Sequence, residues 1–101
     1  MPNNPANIGA YQCGEGRPLL LIAGPCVLEE AVLPVIAETL LGLMTRFPVQ
    51  VVFKGSFDKA NRTSLSADRG PGLARGLQWL AEIKASYDLP VTTDIHESYQ
   101  A

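Results

Sequence analysis

Three cations, Lys54, Lys59 and Arg62, fall within nine residues, interleaved with the hydroxyls of Ser56, Thr63 and Ser64 and the amide of Asn61. Phosphate recognition calls for that mixture, cations for charge and short donors to fix the oxygens. A solvated basic loop has the same composition. What sets this stretch apart is its place, directly after the β-branched run VQVVF at 49–53. Two other groups sit the same way. The apolar run LLLIA at 19–23 leads into Gly24-Pro25-Cys26, and PVTTDI at 90–95 delivers Thr92, Thr93 and Asp94, followed by His96 and Glu97. In parallel α/β folds, ligands bind at the C-terminal ends of strands, so three such clusters would share one face.

Taken singly, these residues leave alternatives open. Cys26 reads as a small buried apolar residue, the usual fate of a free cysteine, or as a thiolate metal ligand at a strand end. Asp94 is either a carboxylate acceptor for a sugar hydroxyl or a cap on the next element. His96 is the only histidine, and a lone histidine is more often structural than a ligand. Cys13 belongs to no motif, and Trp79 reads as core.

The elements that must position these groups follow from periodicity. A short strand-like stretch, Ile8 to Cys13, precedes a Gly14-Glu15-Gly16 turn. LLLIA is long enough for a strand buried on both faces and too short for a core helix. From about Leu28 to Phe47 the spacing turns helical, with Leu33, Ile36, Ala37, Leu40, Leu41 and Met44 forming one apolar stripe. Pro34 marks where the regular helix starts, since a missing N–H costs nothing there. VQVVF reads as a second buried strand. Pro71 is placed to open a second helix, with Leu73, Leu77, Leu80, Ile83 and Lys84 on its inner face. PVTTDI supplies a third strand. The order strand, helix, strand, helix, strand argues for βαβ units and a parallel sheet.

Length and composition set the frame. The chain has 101 residues, 47% hydrophobic, with a formal net charge of -2. That is one domain at most, globular in composition, with no overall field that would attract nucleic acid. Five of the eight Lys and Arg residues nonetheless lie between Lys54 and Arg75, which favours a local anion site. No run reaches the ~18 apolar residues of a membrane helix, and the first ten residues do not resemble a secretory signal. With no CxxC pair, reduced thiols in the cytoplasm are the expectation. A closed barrel of eight β/α units needs about 250 residues, so the expectation is three units of a larger domain; a small open α/β protein is the alternative.

Four segments together resemble a known family. IAGPCVLEE (22–30), FKGSFDKANRTS (53–64), RGPGL (69–73) and TTDIHESYQA (92–101) occur in the order and at the spacing of 3-deoxy-D-manno-octulosonate 8-phosphate synthases. The resemblance runs from about Ile8 to the last residue, and FDKANR is its most specific part. The related 3-deoxy-D-arabino-heptulosonate 7-phosphate synthases share the AGPC-like strand but typically carry KPRTS where this chain has KANRTS.

The resemblance implies a (β/α)8 barrel truncated after about its third strand. It would occupy residues 1–101, with 1–18 as an N-terminal extension. The implied enzyme is a cytoplasmic homo-tetramer that condenses phosphoenolpyruvate with D-arabinose 5-phosphate for the lipopolysaccharide inner core. By the same resemblance Lys54, Ser56 and Lys59 hold phosphoenolpyruvate, while Asn61, Arg62 and Thr63 bind arabinose 5-phosphate. Asp94 lies near the sugar, and Lys59, Asn61 and Asp94 are the implied catalytic residues. Cys26 occupies the position that is Cys in the metal-dependent branch and Asn in the metal-independent one, which implies a divalent metal of the Zn, Fe or Mn class. The family's other ligands, a His, a Glu and an Asp, come from later strands. Gly55 and Thr63 replace a commoner Ala or Ser and a Ser. Thr63 keeps the hydroxyl, and it is for want of those later-strand ligands that the chain alone is expected to be inactive. A second expectation is a non-catalytic half-barrel that binds sugar phosphate or pairs with another chain.

Overall fold

The computed structural model describes residues 5–57, 71–95 and 98–101. Its elements alternate as the periodicity requires: a hairpin of β1 (Ala6–Ile8) and β2 (Tyr11–Cys13), then β3 (Leu19–Ala23), α1 (Leu33–Arg46), β4 (Val49–Lys54), α2 (Leu73–Tyr87) and β5 (Val91–Thr92). The stretch expected as one strand from Ile8 to Cys13 is thus two, folded at Gly9-Ala10. Gly9 takes a positive φ of 57°, which a two-residue hairpin turn needs and glycine supplies without strain.

β3, β4 and β5 form a parallel sheet in that order, with Leu21 opposite Val51, Ala23 opposite Phe53 and Lys54 opposite Thr92. Strands adjacent in sequence are adjacent in space, which makes a small α/β domain compatible with part of a β/α barrel. The two helices pack on one face of it. Val51 and Phe53 of β4 point into a cluster with Leu33, Ala37 and Leu40 of α1 and Leu80 and Ile83 of α2, while Leu21 and Ala23 of β3 pack against its margin. The alternation of a strand places Val51 and Phe53 on that face and Gln50, Val52 and Lys54 on the other. Among the described residues no helix is long and apolar enough to cross a membrane.

The first helix begins where Pro34 places it, and the second does not begin at Pro71. A single 3-10 turn, Glu30–Val32, precedes α1, and Pro34 lies in the helix's first turn as expected. At its far end the Phe47 N–H donates to the Leu43 carbonyl over 2.9 Å, and the Arg46 guanidinium lies 5.5 Å from the Phe47 ring centre. α2 starts at Leu73, not at Pro71. Gly72, with φ of 86°, reverses the chain so that its N–H reaches the Phe57 carbonyl at 2.9 Å. Gly76 then lies so close to Phe57 that a Cβ would collide with that side chain. It takes the inner position that periodicity assigned to Leu77, which is 47% exposed. Trp79 is half-buried at the edge of the core rather than in it.

β3 also departs from the expected burial on both faces. Leu19 is 68% and Ile22 52% exposed, whereas Val51, Val52 and Phe53 of β4 are buried. A continuous apolar run reports hydrophobicity, not position. β4 has a strand on each side, and β3 has a strand on one side only among the described residues.

Candidate functional site

The C-terminal ends of the three parallel strands are stitched together through their backbones. After β4 the chain continues through Gly55, whose N–H donates to the Thr92 carbonyl of β5 at 3.3 Å. One residue on, the carbonyl of Ser56 accepts the Leu28 N–H at 2.8 Å, tying in the turn that follows β3. Two glycines make this closeness possible. A Cβ on Gly24 would collide with the Lys54 carbonyl, and a Cβ on Gly55 would collide with the end of the Leu28 side chain. The first obstacle is fixed backbone. The second is the tip of a rotatable side chain.

These contacts shape a cleft of about 220 Å³ lined by Ile22, Ala23, Gly24, Pro25, Cys26, Lys54 and Ser56. Three of the chemically capable residues singled out from sequence, Cys26, Lys54 and Ser56, therefore share one small space. Lys54 and Cys26 are exposed, so an ammonium and a thiol are both open to a ligand, while Ser56 is buried at 3% exposure. The reading of Cys26 as a buried apolar residue is thereby corrected. It sits at the crest of a turn whose two ends, Gly24 and Leu28, lie on the following strand end, and that places it in solvent.

Asp94 follows the third strand end and is half-buried, but it is not among the residues lining the cleft. The neighbouring Thr93 Oγ1 is buried with no hydrogen-bond partner among the described residues. Lys59, Asn61, Arg62, Thr63 and Ser64 lie outside the described residues, as do His96 and Glu97.

An ammonium beside a buried hydroxyl and a tight backbone turn can bind an anion such as a phosphate or carboxylate. A divalent metal asks for more. Such sites take three or four protein ligands, and among the described residues no three His, Cys, Asp or Glu side chains come together. Cys26 could supply one ligand, and by itself it does not make a site.

Sequence reasoning passed over the structural partners of this cleft. Leu28 was read only as the start of a helical pattern, yet it is 1% exposed and holds the two turns together. The usable signal was the pair of glycines directly following, or one residue after, the apolar runs.

Residues 3–101 match the model of the DAHP synthetase I family. The chain is similar over 99% of its length to a protein of Acinetobacter baylyi named 2-dehydro-3-deoxyphosphooctonate aldolase, at 46% identity. Proteins with the same name from Geobacter metallireducens and Citrifermentans bemidjiense are 49% and 45% identical over 92% of the chain. The chain spans about a third of the length of these relatives, 35%, 35% and 34% respectively.

Proposed function

The chain belongs to the DAHP synthetase I family, and from that premise we propose that it forms part of an enzyme condensing phosphoenolpyruvate with D-arabinose 5-phosphate. The products are 3-deoxy-D-manno-octulosonate 8-phosphate and inorganic phosphate. The observation that carries this reading is the cleft in which Lys54, Ser56 and Cys26 meet at the ends of adjacent parallel strands.

In the reaction C3 of phosphoenolpyruvate forms a bond to the aldehyde carbon of the sugar, whose oxygen takes up a proton. Water adds to C2, and phosphate leaves from C2. Two anionic substrates must be brought together, so cations that offset their charge lower the barrier. Lys54 and Ser56, with Lys59, hold phosphoenolpyruvate. Asn61, Arg62 and Thr63 receive arabinose 5-phosphate, and Asp94 orients the sugar. Lys59, Asn61 and Asp94 are the residues that this reading assigns to catalysis. Cys26 would give one thiolate to a divalent ion of the Zn, Fe or Mn class, its other ligands coming from outside the described residues. The parent enzyme is a (β/α)8 barrel, a homo-tetramer and cytoplasmic, and its product serves the lipopolysaccharide inner core.

The test is a chimaera in which this chain replaces the aligned residues of the Acinetobacter baylyi relative. Phosphate release that requires both substrates is expected, with Lys54→Ala lowering kcat/KM for phosphoenolpyruvate by about a hundredfold. A folded chimaera that releases no phosphate, with circular dichroism matching the relative's, would overturn the proposal.

A further inference from the structure

The β1–β2 hairpin contributes no buried residue, and one side chain accounts for most of its polar attachment to the sheet. Gln50 lies near the N-terminal end of β4. Its Oε1 accepts the Gln12 N–H at 3.1 Å, and its Nε2 donates to the Gln12 carbonyl at 2.7 Å and to the Pro18 carbonyl at 3.1 Å. A side-chain amide thus exchanges with the Gln12 backbone the same two bonds that a hydrogen-bonded residue pair exchanges in an antiparallel ladder. Among the described residues the Tyr11 hydroxyl also reaches the Met44 sulfur, at the long distance of 3.8 Å. Behind the hairpin turn is a cleft of about 520 Å³ among Ala10, Tyr11, Met44, Lys84, Leu89 and Val91, so little packing backs the hairpin there.

We propose that the β1–β2 hairpin is a strap that opens as a unit, with the Gln50 amide as its latch and the Gly14–Arg17 turn as its hinge. The turn suits that role. Its Arg17 N–H closes on the Gly14 carbonyl at 3.1 Å, and Gly16 has φ of 79°, so the direction of the chain there is set by glycine rather than by packing. Opening enlarges the cleft between the hairpin and the C-terminal ends of α1 and α2, at the end of the sheet opposite Cys26 and Lys54.

Amide hydrogen exchange on the 101-residue chain tests this residue by residue. The reporters are the Gln12 N–H, which donates to the latch, and the Phe53 N–H, which donates to the Pro90 carbonyl at 2.8 Å within the sheet. In the unaltered chain Gln12 is expected to exchange by a local opening insensitive to low denaturant, and Phe53 by one that steepens with denaturant. Gln50→Ala should accelerate Gln12 by about tenfold or more and leave Phe53 within about twofold. Gln50→Glu, which keeps an acceptor but offers no N–H to the two carbonyls, should do the same. Unchanged exchange at Gln12 in both variants overturns the latch. Gln12 and Phe53 accelerating together, including by general unfolding, overturns the idea that the strap moves alone.

Discussion

The backbone of Leu28 donates to the carbonyl of Ser56 across 2.8 Å, so the turn after one strand is fastened to the turn after the next. Four residues earlier Gly24 rests against the Lys54 carbonyl. Cys26 is therefore the middle of a five-residue arch, 24–28, with both feet on the 54–56 segment. The backbone segments that carry Cys26 and Lys54 are thereby held against each other at both ends of the arch.

Gly24→Ala should break that arrangement. The added Cβ meets backbone rather than a rotatable side chain, so the strand ends must separate. Overpacking of this kind costs typically about 1–3 kcal/mol, read as a lower urea midpoint. A midpoint equal to that of the unaltered chain would show that the strand ends can part freely.

The 101-residue chain by itself is expected to show no condensation of phosphoenolpyruvate with arabinose 5-phosphate in the presence of Zn, Mn or Fe(II). Its described residues gather no three metal-ligating side chains. Phosphate release measures this directly, and turnover by the purified chain would mean that the substrate and metal sites need nothing beyond these residues.

Two large apolar residues of the same sheet-and-helix layer should respond in opposite ways to truncation. Phe53 is fully buried, and Phe53→Ala should cost about 3–5 kcal/mol. Leu77, despite its helical spacing, is 47% exposed, and Leu77→Ser should change stability by no more than about 0.5 kcal/mol. Equilibrium unfolding of both variants decides whether the inner face of α2 is formed by Gly76 and Leu80, as found, or by Leu77.

The two thiols should label at different rates. Cys26 is exposed and Cys13 half-buried, so iodoacetamide under native conditions should modify Cys26 first, as followed by peptide mapping. Equal rates would place Cys13 in solvent too and loosen the hairpin that carries it.

Much of this architecture was legible because its periodicities are strong. Leu33, Ala37 and Leu40 occupy the α1 positions that a helical stripe assigns to the core, and Pro34 marks the first turn as its chemistry requires. VQVVF became the central strand. The misses share a cause, which is that a residue's type does not say what lies across from it. Gly76 displaces Leu77 from the core because Phe57 comes too close for any side chain there. Leu19 and Ile22 are exposed because β3 is an edge strand among the described residues, and no pattern within five apolar residues encodes that. Of the cleft, the placement of Cys26, Lys54 and Ser56 after strands was legible, whereas Asp94, two residues past β5, is not among its lining residues. The tie through Leu28 was not, since a backbone N–H leaves no mark in residue identity.

The exposed side of β3 has a further consequence inside a cell. Leu19 and Ile22, on opposite faces of the strand, both leave apolar side chains open to water beside an outer backbone edge that has no pairing partner among the described residues. An unpaired apolar edge of this kind is what folding chaperones bind and proteases sample. Wherever that edge is left uncovered, a cover over β3 should lengthen the lifetime of the polypeptide beyond what the stability of the rest of the fold provides.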